Sequence, residues 1–138
     1  MKRMTITFLG SGAAILAAGL LLGISDNPPG IFLVYGAVVC FLLAIVHRWR
    51  TARRFLWLLA ASILGFPVGV LAHNLFYGLG QWGKEIPLVP PVAETLHVCF
   101  FLVTLFLCPA GALVGAAGAI REGLRPSGSA GGTSPRRP

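Results

Sequence analysis

The residues that could do chemistry in this sequence are few and stand close together. His73 and Asn74 fall within a long apolar stretch, Tyr77 follows one helical turn later, and His97 opens the next apolar stretch three residues after Glu94. Phe66, Val70, His73 and Tyr77 keep three- and four-residue spacing, so His73 and Tyr77 share a helix face while Asn74 turns away from it. Ionisable and strongly polar groups cost insertion energy in an apolar layer unless they find partners, which makes these five the functional suspects. Two histidines beside a carboxylate could take a metal, and two histidines could ligate a haem from both sides. The plainer expectation is hydrogen bonding between helices. No HxxxH, HExxH or CxxC spacing sharpens the metal reading, and no cofactor is expected.

Other chemistries have less support. Asp26, Glu85, Glu94 and the histidines form no catalytic spacing, so an enzyme, for instance one modifying lipids, is a minor alternative. A transport path needs polar groups through the full depth of a bilayer, and one half of every apolar stretch offers only isolated Ser and Thr, which leaves an oligomeric transporter as a further minor alternative. Cys40, Cys99 and Cys108 all lie in apolar stretches without ligand spacing and read as small hydrophobes.

The elements that must position these groups are written in the composition. Hydrophobic residues make up 56% of the 138, charged residues only 11%, and the mean hydropathy is +0.82. A soluble domain needs a largely polar surface, so this balance points to a membrane protein. Uncharged runs cover Thr5 to Ile24, Ile31 to Val46, Phe55 to Leu79 and Leu96 to Ile120. A helix needs roughly 20 residues to cross the hydrocarbon layer. The second run has 16 and must borrow its ends from Pro28 and Pro29, which suit a first helical turn, and from Arg48 and Trp49. The expected fold is an all-α, four-helix transmembrane bundle spanning residues 1–125, with helices at about 5–24, 29–49, 55–79 and 93–120. A Gly, Ser, Pro and Arg tail over 126–138 is expected to be disordered. The first run also carries the Lys2, Arg3 and small-residue signature of a signal peptide, but it continues past Ala14, Ala17 and Ala18 to Ile24, which favours a retained helix.

Charge sets the orientation. Lys and Arg number two at the N-terminus, none in the first connection, four in the second, one in the third and four in the tail. Basic residues gather on the cytoplasmic side, so both termini and the Arg48–Arg54 loop are expected in the cytoplasm, in a multi-pass protein of the cell membrane. The third connection, Gly80 to Thr95, holds three prolines and is expected to be the one sizeable outer loop. The net charge of +7 then follows from topology: Arg48, Arg50, Arg53 and Arg54 are expected to meet anionic lipids rather than nucleic acid.

Packing signals are small residues. Gly19 and Gly23, Gly65 and Gly69, and Gly111 and Gly115 each have GxxxG spacing, and Gly36, Cys40 and Ala44 form a comparable stripe. They are expected to serve packing within the bundle, with any surplus available to a homo-oligomer or a membrane partner. Pro67 and Pro109 are expected to disturb their helices.

The run from Ser25 to Arg50, with SDNPPG opening helix two and HRWR closing it, resembles a family of uncharacterised small prokaryotic four-helix integral membrane proteins. GFPVGVLAHNLFYGLG at 65–80 and the LHVCFF and CPAG elements of the last helix are similar to it too, so the resemblance spans most of residues 5–120. It implies a four-helix topology and no activity. The resulting functional expectation is a non-catalytic membrane protein, self-associating or accessory. The alternative is a haem- or metal-binding redox protein using His73 and His97.

Overall fold

The computed structural model describes residues 2–23 and 27–125. Within them the chain forms four helices, α1 (Lys2–Leu22), α2 (Pro28–Val46), α3 (Ala52–Trp82) and α4 (Val89–Gly123), each long and apolar enough to cross a membrane. Asp26 and the tail at 126–138, expected to be disordered, lie outside the described residues.

The helices start and stop where local chemistry dictates. Pro28 and Pro29 occupy the first turn of α2, where a missing N–H leaves no bond unmade. Gly23 ends α1 in the left-handed region, at φ 84°, which a residue without Cβ adopts without strain. Asn27 then donates its side-chain amide to the Leu22 carbonyl at 2.7 Å, closing an orphan acceptor of α1.

Two boundaries differ from the sequence reading. Helix α2 ends at Val46 rather than at Trp49, and its 19 residues give about 28 Å of rise, nearly enough for the hydrocarbon without the arginine end. The third connection is also far shorter than Gly80 to Thr95: α3 runs on to Trp82 and α4 begins at Val89, leaving Gly83 to Leu88. Pro90 and Pro91 were the reason to expect a loop, yet they sit in the opening turn of α4, where proline is at home.

Two antiparallel hairpins make up the molecule, α1 with α2 and α3 with α4. Helix α1 approaches no other helix than α2. The hairpins meet where α2 lies along the second half of α4, with Val46, Phe55 and Val114 forming a small core that Trp49 packs against. Glycines govern the close approaches. A Cβ at Gly30 would run into the Gly23 carbonyl, one at Gly69 into the Thr104 hydroxyl, one at Gly111 into Ser62, and one at Gly115 would lie 2.8 Å from the Leu59 backbone nitrogen. Each of the three GxxxG pairs therefore contributes to contacts inside the protein, as expected of helices that associate through backbone proximity in lipid.

The exterior is as greasy as the interior. Leu21 is 89% exposed and Leu71 70%, while among the described residues no large side chain is fully buried. An apolar surface this extensive is stable against lipid and not against water.

Candidate functional site

Backbone geometry near the middle of α4 creates the first polar contact. Pro109 has no N–H to give the Leu105 carbonyl one turn earlier, and its ring would crowd that oxygen. The chain answers with a π turn over Val103–Leu107, where the Cys108 N–H bonds the Val103 carbonyl. The freed Leu105 carbonyl accepts a hydrogen bond from the Tyr35 hydroxyl of α2, and the Tyr35 ring lies 5.0 Å from that of Phe106. This is a polar tie between the two hairpins. Tyr35 was not singled out from the sequence, although a proline deep in a membrane helix announces a carbonyl in need of a donor.

The predicted polar suspects do converge. His73 on α3 and His97 on α4 have ring centroids 4.9 Å apart, and the His73 Nδ1–H donates to the His97 carbonyl at 3.0 Å. A carbonyl only accepts, so Nδ1 carries the proton and Nε2 holds the lone pair in the neutral ring. Tyr77 meets the His97 ring edge-on at 5.7 Å, and Phe101 lies 5.5 Å from His73. Glu94 Oε2 stands 3.4 Å from His97 Nδ1, within ion-pair reach but not aligned as a hydrogen bond, so that buried nitrogen has no hydrogen-bond partner. Asn74 stays outside the cluster, exposed, donating to the Val70 carbonyl of its own helix at 2.9 Å. His97, Tyr77 and Glu94, with Gln81 and Lys84, line a cleft of about 350 Å³ at this end of the molecule.

Such a cluster can relay a proton or orient a polar group. Its two rings touch each other, which leaves no gap for a porphyrin plane between them. Among the described residues no three His, Cys, Asp or Glu side chains come together as a metal site. The cluster ties α3 to α4 as the Tyr35 contact ties α2 to α4.

The opposite end gathers the cations. His47, at the end of α2, places Nδ1 2.9 Å from the Ala44 carbonyl and 3.1 Å from that of Leu43, which makes Nδ1–H the donor. Its Nε2 then accepts from the Thr5 hydroxyl of α1 at 3.4 Å, with Phe8 packed on the ring at 5.9 Å. Arg48, Arg50, Arg53 and Arg54 are all exposed beside it. Arg48 and Arg50, with Arg121 of α4, line a cleft of about 900 Å³ whose walls come from α1, α2 and α4, with Phe55 of α3. Arg53 and Arg54 do not line it. Sequence reasoning treated the four loop arginines as one patch and left Arg121 with the tail; only helix packing separates them. A second cleft of about 640 Å³, almost wholly apolar, lies between α1, α2 and α4 farther from the basic end.

Comparison with known proteins adds no outside assignment to this geometry: no family description, no curated protein and no solved structure matches the chain.

Proposed function

We propose that this protein is a non-catalytic multi-pass membrane subunit that works by helix association, and that the outer face of α1 is its contact surface for a second copy of the chain. The carrying observation is the one-sided packing of α1. Gly12 and Gly19 are buried against α2, whereas Gly10, Ala14 and Ala17, on the opposite face, are exposed. In lipid a helix face of small residues gains by meeting another backbone closely, because van der Waals contact and not hydrophobic burial drives association there. The glycine pairs on α3 and α4 are engaged inside the protein, which leaves α1 as the free face. The reading carries with it both termini in the cytoplasm of a cell membrane, since described basic residues crowd one end and Lys84 alone stands at the other.

Cross-linking tests it directly. With Cys40, Cys99 and Cys108 replaced by Ala, an Ala14→Cys variant should form a disulfide dimer in native membranes, and Gly10→Ile should abolish it. A cross-linked species of another mass would replace the second copy with a different membrane partner and make the role accessory. No cross-link at all would remove the proposal, as would a Soret band in the purified protein that vanishes in His73→Ala.

A further inference from the structure

The cleft at the basic end has features that the packing of the bundle does not require. Its walls are apolar, formed by Phe8 of α1, Leu43 of α2, Phe55 of α3, and Val114 and Ala117 of α4. Arg48, Arg50 and Arg121 line it as well. Among the described residues none of these three makes an ion pair: the carboxylate at this end, Glu122, is taken by Arg125 at 2.8 Å, and Glu94 stands at the far end with His97. His47 also faces the cleft, its Nδ1 and Nε2 already engaged by carbonyls and by Thr5. The cleft therefore combines apolar walls with three cations that have no ion-pair partner among the described residues.

The slot is also reachable from the side. Helices α1 and α4 both line it, and among the described residues their backbones stay apart, with no Cα of one within 8 Å of a Cα of the other. A volume of about 900 Å³ falls in the range of pockets that enclose a ligand's polar head and the first part of its tail. Arginine matches a phosphate oxygen pair through its planar fork of donors, which an exposed lysine cannot do.

We infer that this cleft is a binding site for an anionic phospholipid, its phosphate held by Arg48, Arg50 and Arg121 and the upper part of an acyl chain laid against Phe8, Leu43 and Val114. A lipid suits both halves of the cleft at once, whereas a free phosphate would leave the apolar walls idle. The inference rests on the reading of the chain as membrane-spanning and is independent of the α1 contact surface, so either can fail alone. It differs from general attraction of a basic loop to anionic headgroups because it divides the arginines: Arg48, Arg50 and Arg121 hold the lipid, while Arg53 and Arg54, equally charged and also exposed, do not.

Trp49 supplies the probe, since its ring lies 5.3 Å from that of Phe55 in the cleft wall. Full-length protein with Trp57→Phe and Trp82→Phe is reconstituted in phosphatidylcholine vesicles containing a minor fraction of brominated phosphatidylglycerol or, in parallel, brominated phosphatidylcholine. Symmetric vesicles make the result independent of orientation. The expected result is stronger quenching of Trp49 by the anionic lipid. Its preference should fall about fivefold for each of Arg50→Gln and Arg121→Gln, the factor equivalent to about 1 kcal/mol per basic residue. The double variant Arg53→Gln/Arg54→Gln should keep the preference. Ala117→Phe, at an exposed wall position, fills the slot without altering charge and should lower quenching by the anionic lipid. Equal quenching by the two lipids overturns the inference. So does an equal loss in the Arg53/Arg54 variant, which would reduce it to diffuse surface charge, or release of the lipid by inorganic phosphate alone, which would make the site one for a free anion.

Discussion

Tyr35, His73 and His47 each do the same kind of work with a different partner: a side-chain donor meets a backbone carbonyl, a bond that matters most where lipid excludes water. For Tyr35 the cause is a single residue. Pro109 leaves the Leu105 carbonyl without its helical donor, and the tyrosine hydroxyl replaces it. Interhelical hydrogen bonds of this kind are worth about 0.6 kcal/mol on average in membranes and up to about 1.7. Tyr35→Phe should therefore destabilise the protein by about 1 kcal/mol in a bilayer unfolding equilibrium. In a Pro109→Ala background, where an N–H returns to position 109, the same change should cost markedly less. An identical penalty in both backgrounds would separate the tyrosine from the proline. The histidine pair was visible in the sequence as two polar groups at one depth on consecutive antiparallel helices. The spacing also turned Asn74 away from the face that His73 shares with Tyr77, but that His73 donates to the His97 backbone depends on the rotation of α3 about its own axis.

At the scale of the element, glycine position decides whether a helix face is closed or open. Gly115 lets α4 lie against the backbone of α3 at Leu59, whereas Gly10 on α1 has nothing within 4 Å of where a Cβ would stand. Substituting Ala at each should separate the two roles. Gly115→Ala forces backbones apart and should cost about 1–3 kcal/mol, the range of overpacked sites. Gly10→Ala should be neutral or slightly stabilising, since alanine is the better helix former by about 1 kcal/mol. The comparison is read from the midpoint of detergent-induced unfolding of the two variants as monomers, where the second copy is absent; matching losses would mean that α1 is packed on both sides within one chain. The glycine spacing on α1, α3 and α4 was legible from the chain alone. Which helix each pair meets was not, because a small residue marks a close approach without naming its partner. The prolines show the same limit. Pro90 and Pro91 read as loop in isolation, but a helix that begins at Val89 uses them in its first turn.

The whole molecule is two hairpins joined along α2 and α4, with cations at one end and the histidine cluster at the other. Helices α3 and α4, with 31 and 35 residues, rise about 46 and 52 Å, longer than a hydrocarbon layer of about 30 Å. Cysteine labelling on intact cells checks the orientation. A probe at Glu85, in the short connection, should react from outside, and one at Thr51 only after lysis; the reverse pattern would invert the protein and move the arginine cleft to the outer leaflet. Four spans, their antiparallel order and the segregation of charge were determined by the sequence itself, because length, hydropathy and the place of each arginine act one helix at a time and need no knowledge of neighbours. The π turn with its tyrosine donor, the outward face of α1 and the division of the arginines into two that line the cleft beside Arg121 and two that do not were decided only by tertiary structure. Each depends on which faces of two helices meet, and in lipid, where every face is apolar, the pattern of hydrophobic residues carries almost no record of that choice.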